Sequence, residues 1–262
     1  MNITSGERAF HLLTKKGEIA PYVILCGDPG RVPKIAAHLD NAVLVSENRE
    51  YILYGGTLNG TPVTVASTGI GGPSAAICVE ELIRCGAHTF IRVGTSGGIK
   101  RSVVGGDLVI ASAAVRDCGT SREYLPEGYP AAADFDVTEA LRDSARELCD
   151  GSFGNSYHIG VVQSKDSFYG ETNPEDMPMA NMLLNRWEAY VRLGCLTSEM
   201  ECAAIYAVAA ARGARAGAVL LSIWNVELDK AGLENPFTKD TDRAIRCAVN
   251  AVKRLAERDK YN

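Results

Sequence analysis

Short apolar runs rich in β-branched residues alternate with helical segments along most of this chain. Strands are predicted at 22–26, 42–45, 62–67, 90–93, 107–115, 160–163 and 216–224. Helices are predicted at 74–85 with Ser74 as N-cap, and at 138–149, 181–193, 199–212 and 239–258. Because strands that alternate with helices favour βαβ crossovers, the pattern predicts an α/β protein with a largely parallel, buried sheet.

One segment interrupts this alternation. Residues 51–57 lead into the turn Asn59-Gly60, which is typical of a β-hairpin and therefore predicts a mixed sheet. No repeat, linker or low-complexity tract divides the chain. We therefore expect residues 1–262 to form a single domain, a mixed twisted β-sheet flanked by helices.

The charge balance and the composition argue against several classes of partner. The chain has 27 basic and 32 acidic residues, a net charge of −5, and no run resembling a membrane span. We therefore expect no nucleic acid and no membrane partner. The N-terminus lacks the apolar core of a signal peptide, and the eight cysteines stand singly, which predicts a cytoplasmic protein with reduced thiols. The four histidines lack ligand spacing, so no metal site is expected.

Three glycine-rich turns follow apolar runs and point to an anion. Two of them carry an arginine, in Gly27-Asp-Pro-Gly-Arg31 and in Arg92-Val-Gly-Thr-Ser-Gly-Gly98. The third, at 68–74, leads into a predicted helix, whose N-terminus favours negative charge. Glycines let backbone N–H groups approach a ligand, and guanidinium forks suit phosphate. Either arginine turn alone is common, but together the turns predict that Arg31 and Arg92 bind one phosphate.

The segment Ser198-Glu-Met-Glu-Cys202 is predicted to open an apolar helix. One of its carboxylates could accept hydrogen bonds from the vicinal hydroxyls of a ribose, with Met200 against the carbon face of the sugar. Both glutamates could equally be favourable first-turn acids. A glycosidase pair is a third interpretation, and it is weaker because phosphate-binding turns have no role in glycoside hydrolysis.

Two further side chains and two loops are weaker candidates. His11 in an apolar segment is more often structural, and Lys165 at a strand end is more often solvated. If Lys165 faces the pocket, it could neutralise an anion that develops on a leaving group. The polar loops at 168–178 and 227–237 are candidate binding loops.

Taken in order, these motifs resemble the nucleoside phosphorylases of the trimeric or hexameric class, and most closely their uridine-cleaving, Gram-positive branch. The matching segments span nearly the whole chain, at 10–12, 27–32, 48–50, 67–74, 80–82, 92–95 and 199–201. The resemblance implies a phosphorylase/hydrolase-like three-layer fold. It also implies reversible phosphorolysis of uridine to uracil and ribose 1-phosphate, with inorganic phosphate as co-substrate and no further cofactor.

The resemblance assigns a role to each candidate residue. The residues implied to bind phosphate are Gly27, Arg31, Arg92 and Thr95, joined by Arg49 of a neighbouring subunit. The residues implied to hold ribose are Thr95, Met200 and Glu201, with His11 of the neighbour. The residues implied to contact the base are Phe168, Glu171, Lys165 and Asn225, and those implied in catalysis are Arg92, Glu201 and Lys165.

Shared sites of this kind imply a homodimer, usually assembled into a hexamer. Glu50, Ile70 and Ser74 match positions that hold a monovalent cation, such as potassium, at the dimer contact in some relatives.

Two positions bear on the identity of the base. Purine-preferring relatives place an aspartate where this chain has Trp224, and the following Asn225 matches the asparagine of uridine-cleaving relatives, which favours a pyrimidine. In the base loop, Glu171 replaces the common glutamine and the usual arginine is absent. We expect Lys165 to compensate the charge of Glu171.

The expected mechanism needs no protein nucleophile. Phosphate held by the arginines stabilises an oxocarbenium-like sugar and then captures C1′ with inversion, so catalysis is mainly positioning and electrostatics. The alternatives are a purine nucleoside phosphorylase, a nucleosidase that uses water, and a regulatory module that binds nucleoside or phosphate. Only a nucleosidase keeps full activity in phosphate-free buffer.

Overall fold

A computed structural model describes residues 8–260 of the chain. Its strands are β1 (Tyr22–Cys26), β2 (Asp40–Asn48), β3 (Tyr51–Leu58), β4 (Thr61–Ser67), β5 (Thr89–Gly98), β6 (Leu108–Asp117), β7 (Ala131–Ala132), β8 (Tyr157–Lys165), β9 (Thr197–Glu199) and β10 (Arg215–Asn225). Its helices are α1 (Val32–Ala36), α2 (Gly72–Cys85), α3 (Gly119–Tyr124), α4 (Phe135–Leu148), α5 (Tyr169–Thr172), α6 (Ala180–Leu193), α7 (Cys202–Arg212), α8 (Val226–Lys230) and α9 (Asp242–Arg258). Short 3₁₀ turns cover Pro29–Arg31 and Pro174–Asp176.

The strands form one mixed sheet, in the order β10-β6-β8-β9-β5-β1-β4-β3-β2, with β7 paired to β6. Strand β5 runs parallel to β1 on one side and parallel to β10 on the other. Since β10 also pairs with β6, the strands β5, β10, β6, β8 and β9 close into a small mixed barrel. The predicted α/β architecture with a mixed sheet is confirmed, whereas the barrel closure is not visible in the sequence.

Helices cover both faces of the sheet and give three layers. Successive residues of β1 point to opposite faces, so Val23 and Leu25 join the core under α2 and α7. Ile24 and Cys26 join the core under α1, α4 and α9. Burial on both faces explains why β1 is a continuous apolar run, with all of its residues buried.

The local signals at the hairpin are confirmed, whereas four predicted helix starts are wrong. Helix α4 begins at Phe135 rather than at residue 138, α9 begins at Asp242 rather than at residue 239, and the starts of α2 and α7 also differ. Asn59 and Gly60 adopt φ values of 50° and 79°, as a tight turn between β3 and β4 requires. Helix α2 begins at Gly72 with Gly71 (φ 89°) at its N-cap, so Ser74 lies inside the first turn. The Ser74 hydroxyl instead donates to the Thr68 carbonyl at 2.5 Å, which fastens the glycine-rich turn to the helix.

Helix α7 begins at Cys202 rather than at Glu199. The residues just before it form strand β9, because Ser198 pairs with Gly97 of β5 on one side and with Gln163 of β8 on the other. The tertiary pairing therefore overrides the helical pattern of the sequence in this segment.

Between residues 8 and 260, no helix combines the length and the apolar character that crossing a bilayer requires. The same stretch holds no group of three or more His, Cys, Asp and Glu side chains suited to a metal ion. The expectation about a signal peptide falls mainly on residues 1–7, which lie outside the described residues.

Candidate active site

The carboxyl ends of β1, β5 and β10 open into one large cavity of about 920 Å³. Ligands of α/β proteins commonly bind at this end of the parallel strands. The predicted site residues that line the cavity are Gly27, Arg31, Glu50, Ile70, Ser74, Arg92, Thr95, Lys165, Phe168, Glu171, Met200 and Glu201. The structure thus brings together, within one chain, most of the residues that sequence analysis selected.

Arg92 is a buried cation at one end of this cavity, with only 3% of its surface exposed. Its Nη2 donates to the Glu201 carboxylate and lies 3.2 Å from Glu199 Oε2. Burial lowers the pKa of Arg92, but the carboxylates of Glu201 and Glu199 outweigh it and hold the pKa above its ordinary value. Nε and Nη1 of Arg92 are buried and have no hydrogen-bond partner among the described residues. Such donors are costly to leave unpaired, so these two nitrogens need an acceptor that the described residues do not supply.

Arg31 adds a second cation to the same end. Its Nη1 donates to the Val93 carbonyl at 3.2 Å, and burial, with a contribution from the charge of Arg92, lowers its pKa. Both arginines line the same cavity, as binding of one phosphate requires, and that shared binding stays a prediction. Gly27 leaves room beside Arg92, since a Cβ at this residue would lie 3.9 Å from Arg92 Nη1 and 3.3 Å from the Gly69 carbonyl oxygen.

The two glutamates before α7 have different surroundings. Glu199 caps the helix, because its carboxylate accepts from the backbone N–H groups of Glu201 at 2.8 Å and Cys202 at 2.9 Å. Glu201 accepts from Gly71 N–H at 2.6 Å and from Arg92, and it lines the cavity. Burial raises the pKa of Glu201, while the charge of Arg92 opposes this shift. The capping interpretation therefore fits Glu199, and Glu201 is the carboxylate that can face a ligand.

A second part of the cavity wall carries an ion pair. Lys165 Nζ lies 2.8 Å from Glu171 Oε1 and donates to Ser198 Oγ at 2.5 Å. This contact is the one that charge compensation of Glu171 by Lys165 requires, and the role of the two side chains toward a base stays a prediction. The Lys165 ammonium also lies 5.9 Å from the centre of the Phe168 ring, and Trp224 lines the same cavity.

Three predicted site residues do not reach this cavity. Asn225 is fully buried, and its side-chain amide donates to the Lys100 and Val103 carbonyls at 2.8 Å each. Its Oδ1 accepts from Leu228 N–H and caps α8. The proposed direct contact of Asn225 with the base is therefore corrected to a role in shaping the loops around the cavity.

His11 and Arg49 lie away from the cavity of their own chain. His11 Nδ1 lies 2.7 Å from Glu81 Oε1, and the His11 backbone N–H donates to Glu81 Oε2 at 3.0 Å, so Glu81 holds this segment against helix α2. Arg49 is exposed at the turn between β2 and β3, with φ 54°. Their predicted service in a neighbouring subunit stays a prediction.

The three predicted cation positions lie side by side. Ser74 Oγ lies 2.8 Å from Glu50 Oε1, and Ile70 is 76% exposed on the adjoining turn. Its own backbone N–H and the Ser74 hydroxyl lower the pKa of Glu50, so this carboxylate is ionised near neutral pH.

Sequence analysis missed part of the cavity wall. The end of β10 and helix α8 supply Ile223, Trp224, Val226, Asp229 and Lys230. The polar loop predicted at 227–237 is the signal that pointed to this wall, but its short helix was not predicted.

The sequence as a whole is similar to known proteins. A family model described as the phosphorylase superfamily matches residues 21–257. A uridine phosphorylase of Treponema pallidum is 48% identical over 98% of this chain and 98% of that protein. A uridine phosphorylase of Escherichia coli is 36% identical over 96% of this chain and 99% of that protein. A guanosine phosphorylase of Halorubrum lacusprofundi is 37% identical over 94% of this chain and 98% of that protein.

Proposed function

Because this chain belongs to the phosphorylase superfamily, we propose that it catalyses the reversible phosphorolysis of uridine to uracil and ribose 1-phosphate. The reaction transfers a pentosyl group from the base to inorganic phosphate. The observation that carries the proposal is the buried Arg92 guanidinium, whose Nε and Nη1 lack a partner among the described residues and which shares its cavity with Arg31. The uridine phosphorylases among the relatives support the choice of substrate.

Phosphate is assigned to the end of the cavity that holds the two arginines. A dianion there offers acceptors to the free donors of Arg92 and to Arg31, with Gly27 and Thr95 beside it. Glu201 lies next to this anion and accepts from the ribose hydroxyls, and Met200 packs against the sugar. Glu201 keeps its position because Gly71 N–H and Arg92 hold its carboxylate.

The base is assigned to the end that holds Lys165 and Glu171. Uracil presents an N3–H donor beside carbonyl acceptors, so a carboxylate and an ammonium 2.8 Å apart complement that edge. Cytosine presents the opposite order, with an acceptor at N3 and a donor at N4, and is disfavoured by the same pair. Guanine shares the N–H and carbonyl order of uracil, and a relative is a guanosine phosphorylase, so guanosine is the second candidate substrate.

The chemistry follows from these positions. As the glycosidic bond breaks, positive charge develops on the ribose and negative charge on the base. The phosphate dianion stabilises the sugar and then attacks C1′, while the Lys165 ammonium stabilises the departing base. The Cys26 thiol, next to Gly27, is not suited to act as a nucleophile, because burial raises its pKa to about 12.

The finer expectations belong to the same proposal. Arg49 and His11 complete the site of a neighbouring subunit in a homodimer, which assembles further into a hexamer. Glu50, Ile70 and Ser74 hold a monovalent cation at that contact. The protein acts in the cytoplasm.

The test is an assay of base release from uridine, guanosine, inosine and cytidine, each with and without inorganic phosphate. We expect turnover of uridine that requires phosphate. Arg31→Gln should raise the KM for phosphate strongly, while Arg122→Gln, an exposed arginine on α3, should leave it unchanged. Equal rates in phosphate-free buffer would indicate a nucleosidase, and faster cleavage of guanosine than of uridine would indicate the purine activity. Absence of turnover for every nucleoside would indicate a binding module.

A further inference from the structure

We propose that Asp117, which lies outside the main cavity at the end of β6, is a positioning residue for the Lys165 ammonium. It acts by fixing the direction of a buried chain of hydrogen bonds that ends at Lys165. The inference rests on the proposed function, in which Lys165 faces the departing base.

The chain of hydrogen bonds links helix α6 and strands β6, β8 and β9 without a break. Arg186 Nη1 of α6 donates to Asp117 Oδ1 at 2.6 Å, and Gln163 Nε2 of β8 donates to Asp117 Oδ2 at 3.3 Å. Ser198 Oγ of β9 donates to Gln163 Oε1 at 2.6 Å. Lys165 Nζ then donates to Ser198 Oγ at 2.5 Å.

Asp117 sets the direction of every bond in this chain. An ionised carboxylate only accepts, so Gln163 must turn its NH₂ group toward Asp117 and its carbonyl oxygen toward Ser198. The Ser198 hydroxyl proton is then committed to Gln163, and the oxygen presents lone pairs to Lys165. If Gln163 were reversed, Ser198 would have to accept from the amide, and its proton would be free to point at the ammonium.

Water cannot easily replace these partners. Gln163 is 3% exposed, Ser198 is 2% exposed and Lys165 is 8% exposed. Buried polar groups in a low dielectric environment depend strongly on the partners that the fold supplies.

The Lys165 ammonium has a second cavity within reach, so its position depends on its hydrogen bond to Ser198. A second cavity of about 170 Å³ lies between β8 and α6. Lys165 and Glu171 line both this cavity and the main one, so their ion pair forms the partition between the two. Asp117 and Asp166 line the second cavity, and their carboxylates attract an ammonium that loses its hold on Ser198. The bond to Ser198 keeps Lys165 at the partition, facing the base.

The experiment compares Asp117→Asn with Asp166→Asn, which removes the same charge from the same small cavity but no link of the chain. The kcat and the KM for phosphate are measured with uridine and with 5-fluorouridine, whose base is the better leaving group. Asp117→Asn should lower kcat for uridine by about tenfold, because a displaced catalytic group stabilises the transition state less well. The loss should be smaller for 5-fluorouridine, and the KM for phosphate should not change. Asp166→Asn should behave as wild type.

A second variant tests the same chain of hydrogen bonds in case Asp117→Asn fails to fold. Ser198→Ala breaks the chain in its middle and leaves the Arg186–Asp117 pair intact. It should show the same dependence on the leaving group, and the double variant should be no slower than the slower single variant, because both act through Lys165.

Equal losses for uridine and 5-fluorouridine, a matching defect in Asp166→Asn, or additive effects of the two chain variants would each overturn the inference. An inactive wild type would instead count against the proposed function. Thermal unfolding of each variant identifies any that is not folded, and Ser198→Ala then decides the question.

Discussion

Gly27 offers a test of the phosphate end that leaves every charge in place. Gly27→Ala adds one methyl group, whose carbon would lie 3.9 Å from Arg92 Nη1 and 3.3 Å from the Gly69 carbonyl oxygen. A phosphate oxygen bound to that nitrogen has to lie about 2.9 Å away. Gly27 lines the cavity, so the added methyl group narrows the space beside Arg92 that is open to a phosphate oxygen. The φ at Gly27 is not positive, so alanine fits the backbone.

The expected loss is one hydrogen bond to a charged group, worth about 1.5–3 kcal/mol. Since 1.4 kcal/mol is a factor of ten, kcat/KM for phosphate should fall by roughly 10- to 150-fold. The KM for uridine should change little, because the added Cβ meets Gly69 and Arg92 within 4 Å and neither Lys165 nor Glu171. Stability should change by less than about 1 kcal/mol.

Gly30→Ala is the matched control, because it makes the same change in the same turn. Gly30 does not line the cavity, and its added Cβ would meet only the Asp28 side chain, at 3.2 Å. Initial rates at varied phosphate concentration measure both variants. A kcat/KM for phosphate within twofold of wild type in Gly27→Ala, or an equal fall in Gly30→Ala, would refute the assignment of phosphate to this end.

Three further predictions concern the base, the fold and the thiols. Glu171→Gln should raise the KM for uridine by about fivefold and weaken discrimination against cytidine, since a neutral acceptor is the weaker one; unchanged discrimination contradicts this. Arg215 and the Tyr22 hydroxyl lower the pKa of Asp259, so that contact stabilises the fold above the unfolded pKa of about 4 and is lost as pH falls through the lower folded value. The Tm of Asp259→Asn should lie below that of the wild type at pH 7, and the two values should converge in acid. A difference in Tm that stays constant with pH contradicts this. Because burial raises the pKa of Cys26 to about 12, iodoacetamide at pH 8 should leave native activity intact, and rapid inactivation contradicts this.

Elements with strong local signals could be predicted from the sequence. Strand β1 is a buried apolar run that ends at a glycine, and the turn at Asn59-Gly60 requires φ values that few other pairs adopt. Strand β9 could not be predicted, because its residues read as the start of an apolar helix. Its strand conformation comes from partners on β5 and β8 that lie far away in the sequence.

The site divides in the same way. The cationic end could be predicted, since Arg31 and Arg92 each adjoin a glycine-rich turn at a strand end. The roles of Glu199 and Asn225 could not, because both depend on which backbone N–H groups and carbonyls lie within reach after packing. Asp117 gives no signal in the sequence, because the hydrogen bond between Asp117 and Gln163 exists only once β6 and β8 pair.

The pairing of β5 has a consequence for how the molecule fluctuates. Arg92 lies in the middle of β5, opposite Leu25 of β1 on one side and Ala218 of β10 on the other. Its backbone amide thus lies between β10, which belongs to the barrel, and β1, which belongs to the part of the sheet outside the barrel. Hydrogen exchange at this amide should therefore proceed only through global unfolding. Helix α6 buries none of its residues, so it should open and close by local unfolding while the strands around Arg92 stay rigid.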